Sequence, residues 1–133
     1  MVWVDDVLRY SSSSGECLIK IKKDSPYMDS EGLRASSCIE FIAQSYGYMS
    51  IAHRLYEVDP NSKPLGRAFL VAIKDAKFYA PDVYKKIKEG DTLIVKIFDL
   101  RQMGSITLFN GQVEWDDLVL CKAHLKVFSE FSS

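Results

Sequence analysis

The chain has almost no net charge: 17 Lys and Arg against 18 Asp and Glu leave a formal −1 over 133 residues. With a pI near 6.1 it lacks the positive field that would hold a phosphate backbone, so nucleic acid is not an expected partner. No apolar run reaches the length of a membrane span, so no membrane partner is expected and the chain should be soluble. Cysteine is scarce and odd in number. Cys17, Cys38 and Cys121 stand far apart among apolar neighbours, which fits neither a disulfide framework nor a Cys/His metal spacing. The three thiols are expected to be reduced and buried as small hydrophobes, and no metal or cofactor is implied. The opening Met-Val-Trp-Val-Asp-Asp has no basic segment followed by an apolar stretch, so nothing directs export and the cytoplasm is the expected location. Histidine is scarcer still, with only His53 and His124 available as imidazole bases.

What is present reads as one domain over residues 1–133, with 47% hydrophobic and 26% charged residues, enough to build a core without metal or disulfide support. Val2 to Arg9 is β-prone. After the polar turn of Ser11 to Gly15, Cys17, Ile19 and Ile21 alternate with Glu16, Lys20 and Lys22, which predicts a hairpin with one buried face. Asp24 to Gly32, rich in Asp, Ser, Pro and Gly, predicts a loop that sustains neither strand nor helix. Ser36 or Ser37 can cap a helix whose body, Cys38 to Ala52, is apolar on more than one stripe and so is expected to be buried on more than one side. Gly47 inside it predicts a close crossing with a neighbouring element. The helix should fray over Arg54 to Val58, and Asp59-Pro60-Asn61-Ser62 ends it.

Four strands are predicted after Pro64: Arg67–Tyr79, Asp91–Leu100, Ser105–Trp115 and Leu118–Phe128, with Pro81 to Glu89 as a connection. Asn110-Gly111 predicts a tight turn or a bulge. On the last strand Val119, Cys121, Ala123, Leu125 and Val127 share one face, and Lys122, His124 and Lys126 the other. Phe69, Phe78, Tyr79 and Phe98 are assigned to the core, with some lining an acyl tunnel between helix and sheet. One long helix between a hairpin and a run of antiparallel strands predicts an α+β hotdog fold, a curved antiparallel sheet wrapped around the central helix. One helix cannot cover so broad a sheet, so a dimer is expected, either a homodimer or a heterodimer with a related hotdog protein.

Four segments carry a family resemblance. Met1 to Leu8 is similar to an opening strand of apolar residues followed by Val-Asp-Arg-Val, and Asp24-Ser25-Pro26-Tyr27-Met28 to a Pro-Phe-Phe loop. Glu40-Phe41-Ile42-Ala43-Gln44 matches Glu-x-x-Ala-Gln, and Glu89-Gly90-Asp91-Thr92-Leu93 is similar to Pro-Gly-Asp-x-Leu. In this order they resemble the 3-hydroxyacyl-(acyl carrier protein) dehydratase family of bacterial fatty-acid synthesis, most closely its divergent aryl-polyene-type branch. The resemblance implies an acyl thioester, on acyl carrier protein or coenzyme A, as the bound partner. It implies Glu40 as the catalytic helix carboxylate, the backbone amides of Ala35 and Ser36 as the cradle for the thioester carbonyl, and Gln44, one turn on, as an orienting partner of Glu40. Removing a proton beside a carbonyl builds charge on its oxygen, which preorganised donors at a helix start stabilise, and loss of a hydroxyl needs an acid within reach.

The sequence departs from the family where the base should stand. Asp29-Ser30-Glu31-Gly32-Leu33-Arg34 replaces Gly-His-Phe-Pro and contains no imidazole, leaving Asp29 and Glu31 as the only acids there. The family's Leu-Pro-His-Arg opening is missing as well, so a start upstream of Met1 is one reading of this sequence. His53 lies about 20 Å beyond Glu40 along a helix and cannot form a dyad with it in one subunit. His124 faces outward. Lys85, Lys86 and Lys88, with Lys74 and Lys77, form the densest basic group, which an acidic carrier protein would meet. Three functions therefore stand side by side: a dehydratase with an unconventional or inter-subunit base, a thioesterase in which Glu40 activates water, and a non-catalytic subunit that completes the dimer of an active dehydratase.

Overall fold

The computed structural model describes residues 3–11, 13–56 and 69–129. Strands β1 (Asp6–Tyr10) and β2 (Gly15–Lys20) form the first hairpin. Its serine turn closes on itself, with the Ser11 hydroxyl accepting the Ser14 N–H at 3.1 Å. On β2, Gly15, Cys17 and Ile19 are buried and Lys20 is exposed, the alternation that the sequence predicts. The loop expected over Asp24 to Gly32 is not wholly irregular: Met28–Asp29 (β3) and Gly32–Leu33 (β4) form a minimal two-stranded ladder. Two residues per strand leave no alternation for a sequence reading to detect.

Helix α1 runs from Ser37 to Tyr56, followed by β5 (Phe69–Phe78), a 3-10 helix (Pro81–Lys86), β6 (Thr92–Met103), β7 (Ile106–Trp115) and β8 (Leu118–Ser129). The expected helix stop at Asp59-Pro60 and the strand start at Arg67 lie outside the described residues. The large sheet is antiparallel, in the order β1-β2-β6-β7-β8-β5, and curves around α1. Cys38, Phe41, Ile42, Tyr46 and Met49 of the helix meet Ile19, Val95, Ile97, Phe109, Val113 and Leu125 of the sheet, all buried. Tyr46 stacks on Phe109 with ring centroids 4.7 Å apart. Trp3, Tyr27 and Phe41 meet edge to face at 5.1 to 5.4 Å and tie the N-terminal segment to the helix.

The close crossing of helix and sheet falls at Gly111, not at Gly47. A Cβ at Gly111 would stand 2.2 Å from the Ile42 side chain, whereas a Cβ at Gly47 would meet nothing within 4 Å. Asn110-Gly111 is therefore neither turn nor bulge but the middle of β7, paired with Phe98 and Ile97 on one side and with His124 and Ala123 on the other. The bulge lies across the ladder on β6, between Phe98 and Arg101. A second bulge on β8 inserts Leu120, so Leu120 and Cys121 are both buried and the predicted alternation breaks there.

Two expectations about burial need correction. One face of α1 is open: Glu40 is exposed and Ala43, Gln44, Gly47 and Tyr48 are only partly buried, because the sheet covers the helix from one side. Phe78 and Tyr79 are exposed and Phe98 is half-buried, so none of the three belongs to the core; Phe69's side chain lies outside the described residues. β-propensity is shared by inward and edge aromatics alike, which is why sequence does not separate them.

Candidate functional site

A cavity of about 430 Å³ opens at the start of α1. Its walls come from four elements: Asp29, Glu31 and Leu33 of the small hairpin, Arg34 to Ser36 at the helix entry, Phe78 at the end of β5, and Pro81, Tyr84 and Lys85 of the 3-10 helix. Gly32 makes this assembly possible. It holds φ +100°, and a Cβ there would stand 2.3 Å from the Tyr84 carbonyl oxygen and 2.8 Å from Lys85 Cα. Backbone cannot yield as a side-chain tip can, so Gly32→Ala combines left-handed strain with a clash. A loss of about 2 kcal/mol or more is expected in chemical denaturation, against roughly 1 kcal/mol for strain alone.

Tyr84 anchors the cavity floor. Its hydroxyl donates to the Leu120 carbonyl oxygen, which the β8 bulge turns toward it and which also accepts the Tyr79 N–H at 2.9 Å. Burial pushes the Tyr84 hydroxyl well above the usual phenol range, with the Cys38 and Cys121 thiols adding to the shift, so it stays protonated as a donor. Behind it, the hydrogen bond from Cys38 to Cys121 holds the proton on Cys38, and burial acts in the same direction. Burial likewise pushes the Cys17 thiol up to about 11. The Cys38–Cys121 hydrogen bond holds the Cys121 thiol below its usual range, against burial, and all three free thiols are shielded from solvent. The sequence reading missed Tyr84 because Pro81 to Glu89 passes for a connection; the apolar spacing of Val83, Tyr84 and Ile87 is the signal that it packs inward.

The residues singled out from sequence divide into two groups. Ala35 and Ser36 line the cavity, beside Asp29 and Glu31. The helix start is closed by the Ser37 and Cys38 N–H groups, which donate to the Arg34 and Ala35 carbonyls at 3.0 and 3.1 Å. Glu40 and Gln44 are not in the cavity wall. They stand on the open face of α1, where Gln44 Nε2 donates to Glu40 Oε1 at 3.2 Å and Gln44 Oε1 accepts the Trp3 N–H at 2.9 Å. The amide, itself held by the backbone, biases the orientation of the carboxylate, which faces away from this chain's own core.

The basic group read from sequence is split by the fold. Lys85 borders the cavity, whereas Lys77 faces a separate groove on the outer surface of the sheet. No imidazole lines the cavity among the described residues. His124 belongs to the outer groove, and the side chain of His53 lies outside the described residues. Among the described residues no cluster of His, Cys, Asp and Glu could hold a metal ion, and no helix is long and apolar enough to cross a membrane.

A curved six-stranded antiparallel sheet wrapped around one helix, with a cavity at the helix start, defines a hotdog-fold protein. Residues 1–132 match the ApeP-like family, described as ApeP dehydratase, and the chain belongs to that family. No curated protein matches the sequence. Among solved structures, the chain is similar to the dehydratase heterocomplex ApeI:P from Xenorhabdus doucetiae, with a TM-score of 0.75 at 19% identity, covering 97% of this chain and 83% of that one. It is also similar to a hypothetical thioesterase protein with coenzyme A from Streptococcus pneumoniae TIGR4 (TM-score 0.66, 11% identity, 96% and 86% covered). A third is smu.793 from Streptococcus mutans UA159, bound to acetyl CoA (TM-score 0.60, 12% identity, 96% and 89% covered). At these identities the structural matches establish the fold.

Proposed function

We propose that this protein is an acyl-thioester-handling subunit of a composite dehydratase. It would contribute the carboxylate of Glu40 on the open face of α1, outside the Ala35–Ser36 cavity of its own chain, while a related hotdog chain covers that face and brings the imidazole that removes the Cα proton. In that reaction the base takes the proton beside the thioester carbonyl, the enolate charge falls on an oxygen held by backbone N–H groups, and Glu40 protonates the departing hydroxyl, which leaves as water. The observation that carries this reading is the oriented Glu40–Gln44 pair on the open face of the helix, in a chain whose described cavity has no histidine. A ligand or a second chain that covers that face would meet this carboxylate.

Strand β5 supports the same arrangement. It ends the sheet, and its Ile73 and Phe78 are exposed: an apolar edge of the kind that pairs with another chain. The ApeI:P dehydratase, to which this chain is similar, is a heterocomplex. Lys85 and Arg34, at the cavity mouth, would meet the phosphate of a pantetheine arm or an acidic carrier surface. Reduced, shielded thiols suit the cytoplasm as its setting.

The test offers 3-hydroxyacyl and acyl thioesters of carrier protein and coenzyme A to the purified chain, alone and with a histidine-bearing relative. Enoyl product is expected only from the mixture. Free thiol from the chain alone would replace this reading with hydrolysis, and stable association without any effect of Glu40 would leave a purely structural subunit.

A further inference from the structure

On the outer face of the sheet, away from the helix, lies a groove of about 560 Å³ that the proposed dehydratase chemistry does not use. Strand register builds it. Phe98, Asn110, His124 and Asp75 align as one row across β6, β7, β8 and β5, and Gln112, Lys122 and Lys77 form the next row. Tyr79 closes one end, with the Lys122 ammonium 6.0 Å above its ring. Bulges in β5, between Ile73 and Asp75, and in β6, between Phe98 and Arg101, flank the His124–Asn110 pair on both sides. Bulges re-aim side chains, and they are common beside binding sites.

Three features of this groove point to a ligand. Lys77 and Lys122 are direct cross-strand partners, so their side chains leave the sheet about 5 Å apart, an arrangement that repels when both are charged. Among the described residues, the ion pairs join Arg9 to Glu16, Lys22 to Asp5, Arg34 to Asp29 and Lys96 to Glu114, and none engages either groove lysine. The imidazole beside them is held in place: His124 Nδ1 lies 2.5 Å from Asn110 Oδ1, and Asn110 Nδ2 donates to Asp99 Oδ2 at 3.2 Å. Because Asp99 takes the amide N–H, Asn110 presents its oxygen to His124, which assigns a proton to Nδ1 and fixes the ring beside the two lysines. Asp99 lies in the β6 bulge with φ +54°, a left-handed conformation that Asp tolerates better than most residues other than glycine.

We propose that the groove binds a phosphate-bearing small molecule. The dianion bridges the ammonium groups of Lys77 and Lys122 beside His124, and the organic part lies between Tyr79 and Phe98. A dianion matches two cations that no carboxylate among the described residues engages, where a single carboxylate satisfies one, and its oxygens accept from both lysines at once. Asp75, in the His124 row, is the groove-lining carboxylate that opposes it.

Isothermal titration with phenyl phosphate, inorganic phosphate and benzyl alcohol separates the contributions. Phenyl phosphate should bind saturably, inorganic phosphate about tenfold more weakly and benzyl alcohol not at all. Lys77→Gln/Lys122→Gln should lose about tenfold or more in affinity for both phosphates, and Asp75→Asn should gain a few-fold. Without ligand, the double lysine variant should melt no lower than the parent, since a repulsive pair has gone; if it does not fold, Lys122→Gln alone carries the comparison. The His124 imidazole resonances should move on titration. Absence of saturable phosphate binding, or parental affinity in the lysine variants, would overturn the proposal.

Discussion

Glu40→Gln is expected to lower dehydration by the assembled complex by about 10²–10⁴-fold, the usual range for a general acid or base acting in the transition state. The substitution keeps the size of the side chain and its contact with Gln44 Nε2, 3.2 Å from Oε1, while removing the ionisable proton. The position is exposed and makes no core contact, so stability should stay within about 0.5 kcal/mol of the parent. That pairing of outcomes distinguishes chemistry from folding. The check is turnover of a 3-hydroxyacyl thioester together with a denaturation curve on the same preparation. Loss of turnover with an unchanged curve places Glu40 at the reacting atoms; unchanged turnover removes it from the site. Gln44→Ala should have a smaller effect on turnover, because Gln44 orients the carboxylate and bridges to the Trp3 N–H without itself transferring a proton.

The largest structural effect is expected at Gly111. Its hydrogen faces Ile42, and a Cβ would fall 2.2 Å from Cγ2 and 3.0 to 3.1 Å from two further atoms of the same side chain. Ile42 is wholly buried and branched at Cβ, so it is stiff at χ1 and close-packed neighbours resist its displacement. Gly111→Ala should cost about 1–3 kcal/mol and Gly111→Val more than about 3 kcal/mol, the overpacking range and beyond. The clash is local, which makes it correctable. Ile42→Ala by itself should lose about 2–5 kcal/mol through the cavity it leaves, but combined with Gly111→Ala the two costs should fall short of their sum by 1 kcal/mol or more, roughly. Additive costs in denaturant titrations would show that helix and sheet do not meet at this point.

The same contact shows where sequence reasoning reached its limit. A glycine in a helix is visible as a propensity penalty, which drew attention to Gly47; a glycine in a strand beside asparagine resembles a turn, which disguised Gly111. Only the register of β7 against β6 and β8, set by ladder hydrogen bonds and by the bulge on β6, brings Gly111 under Ile42. Tyr84 was hidden for a related reason. Its partner, the Leu120 carbonyl, is 36 positions away and is aimed by a bulge that breaks the alternation of β8.

The sequence by itself determined the element order, the hairpin and its buried face, the helix and its early carboxylate, and the family. Each of these is written in local periodicity, capping chemistry or contiguous motif. It also determined the absence of the histidine from the motif ahead of the helix. The tertiary structure decided which side of the helix is open, and thereby separated Glu40 and Gln44 from the cavity that holds Ala35 and Ser36. It also divided the lysines between the cavity mouth and an outer groove and turned three expected core aromatics toward the surface. Facing direction depends on what packs against an element, and that is set by contacts between residues distant in the chain.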